Sequence, residues 1–362
     1  MKIKQNIKTY FTSLFAAVLV VSCNVPDDNT DVIHFVPGEV ENPVTITQVI
    51  IKDPNFSTLE KLMRRIEKAA TTPAGRILSN LNLPGNTTVF APTDAAFDAF
   101  ITANKITNID NLPIATITNL VYNHLLTGKF LATDFTTGFI STQATRDAGT
   151  NLVNLSMYVN TASGVQLNGV SKVVSSNVSV NNGVIHTVDA VINVPTVKDL
   201  IALNPNTSRF SGAVTHADTG LATPVVGDAL ANTSNSVTAF VPTNAAIASL
   251  LLELDPTGAT TTMQGLPSTQ VANIVKINIV STASSTVAIS SKFFAARTNT
   301  KLQTLLSGTA GQVNFNGTTK KIVDPRLRTA NITPLDIQGS NGVVHTVDKA
   351  MLPVLLAPVV VP

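Results

Sequence analysis

The sequence predicts an α+β fold built twice in tandem, and three observations predict it. Hydrophobic residues make up 44% of the 362 residues, enough for a core in each of two ordinary domains. Landmarks recur about 150 residues apart, which is the scale of domain duplication and not of a solenoid. Within each copy a stretch with helical periodicity precedes short Val-rich stretches separated by turn residues.

At the start of the chain, Lys2, Lys4 and Lys8 precede an apolar run from Tyr10 to Val21 that closes on Val20-Val21-Ser22-Cys23. The run is too short to span a bilayer, and its basic start and small terminal residues predict a cleaved signal peptide over 1–22. Cys23 is the only cysteine, so a disulfide framework cannot form. The four residues ending at Cys23 resemble the lipobox of bacterial lipoproteins, in which that cysteine is acylated and becomes the first mature residue. Several acyl chains would hold the protein firmly, since each buried methylene contributes roughly 0.8 kcal/mol and one chain is marginal. Residues 23–44 are polar, are broken by Pro26 and Pro37, and carry Asp27, Asp28 and Asp31, which predicts a flexible acidic tether. Acidic residues just behind the lipidated cysteine are similar to the surface-export signals of Bacteroidota lipoproteins. That similarity implies an outer-membrane lipoprotein facing the cell exterior, with a periplasm-facing orientation as the alternative.

Without the three leader lysines, 21 basic residues face 22 acidic ones, a net charge of −1. No basic excess remains to neutralise phosphates, so nucleic acid is not an expected partner.

The first domain is expected over 45–195, the second over 196–354, and a tail over 355–362. Thr45-Ile46-Thr47 with Asp53-Pro54-Asn55 returns as Thr196-Val197-Lys198 with Asn204-Pro205-Asn206. Leu59, Leu62, Met63, Ile66 and Ala70 share one helical face, and Ser57 or Thr58 is placed to cap that helix. TVFAPTDAAF at 88–97 returns as TAFVPTNAAI at 238–247. Thr88 to Phe90 favours a strand, the proline holds Ala91 extended, and Thr93 and its counterpart Thr243 can cap a following helix. Asp94 then sits in the first helical turn, where the dipole favours a negative charge, and Asn244 replaces it without charge. The segment reads as a strand-to-helix corner. A catalytic Asp would not be expected to become Asn in the sister copy.

Val-rich strands are expected over 152–159, 165–174 and 184–194. Asn168-Gly169 and Asn316-Gly317 each follow apolar alternation, the mark of a tight hairpin, and correspond as landmarks of the two copies. NGVIHTVDAVINVP at 182–195 returns as NGVVHTVDKAMLPV at 341–354. Here Asn182-Gly183 and Asn341-Gly342 read as turns, and alternation then points Val184, His186 and Val188 to one face of a strand. His345 sits likewise between Val343 and Val347. A buried histidine hydrogen-bonded to backbone is the favoured reading for both, with a ligand or pH switch as the alternative. Asp189 and Asp348 stand three residues beyond these histidines, on the opposite face of the strand, and cannot pair with them there.

These two motifs, their order and their separation resemble the fasciclin domain family, and the resemblance covers the chain from about Thr45 to Val194 and from about Thr196 to Pro353. It implies a wedge or sandwich of β-strands flanked by helices, found in secreted and surface proteins that mediate adhesion. Two of the family's features transfer in part. A Tyr-His pair between the motifs stands here as Tyr122-Asn123-His124, and Ile277-Asn278 in the second copy lacks it. An Asp-Ile pair, implicated in integrin binding in animal members, stands as Asp336-Ile337, where the first copy has Asn177-Val178. Tyr122, His124, Asp336 and Ile337 are therefore the candidate binding residues, although Asp336-Ile337 also reads as a strand-edge packing element.

Three classes of function compete. An adhesion or scaffold module binding another surface or matrix protein explains both tether and tandem. Glycan binding is weaker, because the chain has no Trp and only Tyr122 and Tyr158 as mature tyrosines. An enzyme is not expected: there is no nucleophile elbow, phosphate loop or zinc helix motif. His34, His124, His186, His216 and His345 are scattered without metal-ligand spacing, so neither metal nor cofactor is expected.

Overall fold

Among the described residues the two copies form two sheets of seven strands each, joined in the same order and each containing one parallel pair. A computed structural model describes residues 44–147, 152–222, 225–282, 294 and 297–354. Residues 1–22, expected to be a signal peptide, Cys23, nearly all of the expected tether and the expected tail at 355–362 lie outside the described residues.

In the first domain, helices α1 (Ile46–Lys52), α2 (Ser57–Ala69) and α3 (Ile77–Asn80) lead into strand β1 (Thr87–Pro92). Helices α4 (Asp94–Ala103) and α5 (Ile114–Tyr122) follow, then β2 (Leu125–Thr127), β3 (Gly138–Asp147), β4 (Leu152–Asn160), β5 (Gln166–Leu167), β6 (Ser171–Val180) and β7 (Gly183–Val188). The sheet order is β2-β1-β7-β6-β5-β4-β3, antiparallel except for β1 beside β7. The second domain repeats this with α6 (Val197–Leu203), α7 (Ser208–Ala217), α8 (Val226–Ala231), β8 (Ser236–Pro242), α9 (Asn244–Leu254), α10 (Ser268–Ile277) and β9 (Ile279–Thr282). Strands β10 (Thr300–Gln303), β11 (Gln312–Asn316), β12 (Lys321–Val323), β13 (Thr329–Gly339) and β14 (Gly342–Val347) complete it, with β14 parallel to β8.

Alternation along the central strands divides each domain into two cores. Val89, Ala91 and Ile185 face the helices and pack with Leu59, Leu62, Met63 and Ile66 of α2. Phe90 and Val188 face the other way, into a second core with Leu126, Phe135, Met157 and Val159. The apolar face read for α2 is the buried one, apart from Ala70, which ends the helix.

Three expectations change in detail. Residues 165–174 are not one strand: β5 and β6 are joined by a turn in which Asn168 and Gly169 both have positive φ, 46° and 72°. That is the tight hairpin geometry expected of Asn-Gly. Asn316-Gly317, however, joins β11 to β12, a loop spanning 317–320, whereas the counterpart of the Asn168 turn is the segment between β12 and β13. The two Asn-Gly pairs are not equivalent positions. Finally, the strand expected over 184–194 ends at Val188.

The domains meet edge to face. Phe139 of β3 packs against the helical core of the second domain. Beside it, the Gln338 backbone N–H of β13 donates to Ser156 Oγ of β4 at 3.0 Å.

Candidate functional site

The strand-to-helix corner is built by its polar residues. Thr93 Oγ1 accepts from Ala96 N–H at 3.2 Å, and Thr243 does the same for Ala246. Asp94 begins α4 but serves a different helix: its carboxylate accepts from Ser57 Oγ at 2.6 Å and from Thr58 N–H at 2.8 Å, at the start of α2. Helix α2 is therefore capped by Asp94 from outside, not by the side chains of Ser57 or Thr58, and its own N-cap position is Phe56. Partial burial raises the Asp94 pKa, but the Ser57 and Thr58 hydrogen bonds outweigh it and hold the carboxyl below its usual value. Asn244 takes the same place, accepting from Arg209 N–H at 2.9 Å and donating to Pro205 O at 2.8 Å. An amide can replace the carboxylate because the task is to satisfy the first turn of a neighbouring helix.

The closing motif is a set of internal ties. Asn182 accepts from Ile46 N–H at 3.0 Å and donates to Leu81 O and Leu83 O, and Asn341 repeats this with Val197, Leu230 and Asn232. Each asparagine thus anchors its domain's first helix, a role a local turn reading misses; its recurrence in both copies was the available signal. The following glycine lies on the strand. A Cβ on Gly183 would stand 1.9 Å from Thr87 O, and one on Gly342 2.0 Å from Val237 O. Glycine is required there by the close approach of the parallel strand. Asp189 accepts from Lys172 N–H at 2.7 Å, and Asp348 from Asn331 N–H at 2.7 Å, tying the ends of the last two strands.

His186 is fully buried, stacked on Phe90 with ring centroids 5.5 Å apart. Its Nδ1 accepts from Asn177 N–H at 3.2 Å, so Nε2 carries the proton and donates to Phe130 O at 2.9 Å. Burial lowers its pKa, only partly offset by the bond to Phe130. His345 stacks likewise on Phe240, at 5.7 Å.

His124 is also buried, with both nitrogens engaged. Nε2 accepts from Ile192 N–H at 2.9 Å, which places the proton on Nδ1, facing Leu120 O at 2.8 Å. Burial pushes its pKa down to about 4. No ring atom is left for an outside ligand. Tyr122 is half-buried, and burial with the nearby Glu67 carboxylate raises its phenol above the usual value.

Ile337 is 2% exposed in the second domain's core, whereas its counterpart Val178 is 41% exposed. Asp336 lies at the seam between domains. Gln338 Nε2 donates to Asp336 Oδ1 at 2.8 Å, and Arg146 Nη2 of the first domain donates to Gln338 Oε1 at 2.7 Å. Asp336 Oδ1 also stands 4.0 Å from His345 Nε2. Burial pushes the Arg146 guanidinium below its usual pKa, opposed by the Asp336 and Asp147 carboxylates. The candidate binding residues are thus not brought together: His124 pins the first domain, Ile337 packs in the core of the second, and Asp336 lies at the seam.

Beside the His186 cluster is an open cavity of about 340 Å³, walled by Leu126, Phe130, Phe135 and Ile140, with Asp134 and Ser141 at its rim. Among the described residues, no group of three or more His, Cys, Asp or Glu is placed to hold a metal ion.

Together these features define a class: a duplicated α+β domain whose recurring polar residues hold its own backbone. The fasciclin domain model matches residues 54–195 and 205–353, and the chain belongs to the fasciclin domain family. Fasciclin domains are associated with cell adhesion and are generally non-catalytic. The chain is similar to a fasciclin-like arabinogalactan protein of Arthroderma benhamiae, 27% identical over 219 residues. That match covers 60% of this chain and 44% of the fungal protein, so the chain spans less than half of that relative. An uncharacterized protein of Synechocystis is 26% identical over 147 residues, 41% of this chain and 96% of that protein. Among solved structures, the domain pair from the insect cell adhesion molecule Fasciclin I covers 82% of this chain and 97% of its own, at 17% identity and a TM-score of 0.45.

Proposed function

We propose that this chain is a non-catalytic adhesion or scaffold protein, held at the outer membrane of a Bacteroidota bacterium by acylated Cys23, that binds another surface or matrix protein. The observation that carries the reading is the use made of the repeated motifs. Asp94, Asn182, His186 and Asp189, with their second-domain counterparts, are occupied by contacts within their own domains. What duplication has kept is a scaffold. Two such domains on one anchor can engage neighbouring sites, and effective concentration raises avidity without any single tight contact.

Cross-linking on living cells, followed by identification of what is attached, tests this. A surface or matrix protein should be recovered from cells carrying the wild type and not from cells carrying Cys23→Ala, which should also lose lipid labelling and membrane retention. Recovery of polysaccharide alone would replace the reading by a glycan-binding accessory of an uptake system. Proteinase added to intact cells should degrade the wild type, and protection from it would place the protein on the periplasmic side.

A further inference from the structure

The cavity beside His186 is built in a way that adhesion through a flat surface does not call for. The loop after β2 that forms its outer wall is fixed at successive positions. Thr88 Oγ1 donates to Gly128 O at 2.7 Å and accepts from Phe130 N–H at 2.9 Å, while His186 holds Phe130 O. Asn177 Oδ1 accepts from Ala132 N–H, and Asp134 Oδ2 from Leu131 N–H, both at 2.8 Å. These bonds fix the Phe130 backbone at the border of the cavity, and the residue is 37% exposed. An apolar cavity kept open by backbone clamps is pre-organised, and about 340 Å³ falls within the range of small-ligand sites, roughly 300 Å³ upward.

The lining also specifies a charge. Asp134 is the one charged residue that lines the cavity, and among the described residues no cation lies within ion-pair distance of it. The rings of Phe130 and Phe135, with centroids 5.9 Å apart, line the same cavity and carry electron-rich faces. We propose that this cavity binds a small amphipathic amine, its apolar body against Leu126, Phe135 and Ile140 and its ammonium between the Phe130 ring and the Asp134 carboxylate. This site is independent of the adhesion reading.

Titration calorimetry on the full chain with phenethylamine, 2-phenylethanol and 3-phenylpropionate tests it, because the three share a phenyl body and differ in charge. The amine should bind saturably at one site, about tenfold tighter than the alcohol, with the carboxylate weakest. Ser141→Phe, which plugs the rim from an exposed position, should abolish binding while leaving the thermal unfolding curve in place. Asp134→Asn, which keeps an acceptor for Leu131, should erase the preference of amine over alcohol. The proposal fails if none of the probes binds saturably, if the alcohol or carboxylate matches the amine on the wild type, or if Ser141→Phe binds unchanged.

Discussion

Asn278 stands in the second domain where His124 stands in the first, and makes the same two hydrogen bonds. His124 spans Leu120 O, four residues back, and Ile192 N–H beyond the last strand. Asn278 donates to Ile274 O at 2.7 Å and accepts from Met351 N–H at 3.2 Å. A neutral imidazole with its proton on Nδ1 and a carboxamide thus offer one donor and one acceptor in similar places. The middle segment of the second copy, which lacks the family's histidine, keeps its function as a pin.

His124→Asn should therefore cost little, under about 1 kcal/mol, whereas His124→Ala should destabilise the first domain by about 2–4 kcal/mol, because Leu120 O and Ile192 N–H would be buried without partners. Urea denaturation at pH 8 distinguishes the two. Similar losses for both substitutions would show that ring packing and not the paired bonds is what matters.

The same residue sets a pH dependence. Its folded pKa, about 4, lies below the unfolded value near 6.5, so between these limits the unfolded chain takes up a proton that the folded chain refuses. Stability is fully present above pH 6.5 and falls as pH drops toward 4, by roughly 3 kcal/mol from this group. His186, also depressed by burial, acts in the same direction. His124→Asn should flatten the stability profile between pH 6.5 and 4, and an unchanged slope would refute the assignment.

Asp94→Asn should likewise be tolerated, since Asn244 performs the same capping from the same place. Asp94→Ala should cost about 1 kcal/mol, the usual loss on removing a helix cap. Because the hydrogen bonds hold the Asp94 pKa low, its contribution is present above the ordinary carboxylate range and lost as pH falls through the folded value, a loss Asp94→Asn should not show. Thermal unfolding of both variants at pH 7 and pH 3 is the measurement.

The fold class, the duplication, the buried face of α2 and the inward direction of His186 were legible in the sequence because each rests on a local period or on self-similarity. What was not legible depends on contacts far along the chain. The sequence places Asp94 only against its own helix dipole, yet its partners are Ser57 and Thr58, on another helix. The likeness of His124 and Asn278 is one of hydrogen-bond geometry between different residue types, which no alignment of identities displays. Asn316-Gly317 carries the right local chemistry for a hairpin but does not say which hairpin it closes. The seam through Arg146 joins residues 192 apart, and the cavity wall is assembled from two strands and a loop.

Gly183 and Gly342 are best tested by a single methyl. Gly183→Ala places a Cβ 1.9 Å from Thr87 O and Gly342→Ala one 2.0 Å from Val237 O, both backbone atoms of the paired strand that cannot swing aside. Loss of cooperative unfolding, or a cost above about 3 kcal/mol, is expected for either. Gly85→Ala meets nothing within 4 Å and serves as the neutral control. Near-wild-type stability of Gly183→Ala would mean that the parallel pair can part without loss.

Arg146 offers the sharpest test of whether the two domains act as one body. It is only 8% exposed, its Nε has no hydrogen-bond partner among the described residues, and burial depresses its pKa, all of which oppose placing a cation there. Against that stand the 2.7 Å bond to Gln338 and the Asp336 carboxylate beyond it. Breaking such an arrangement from one side is costly because the remaining polar groups stay buried, and Arg146→Ala should lose about 3 kcal/mol. Arg146→Met, which keeps much of the volume, should lose less. If the guanidinium acts through Gln338, the double variant Arg146→Met with Gln338→Leu should show a coupling of about 1–3 kcal/mol relative to the single changes. Small-angle scattering should then report a larger radius of gyration for Arg146→Ala as the seam opens while Phe139 still holds one side of it. Additive losses with unchanged scattering would show instead that the Phe139 contact and the Ser156–Gln338 hydrogen bond fix the pair and that Arg146 is a local feature of the first domain.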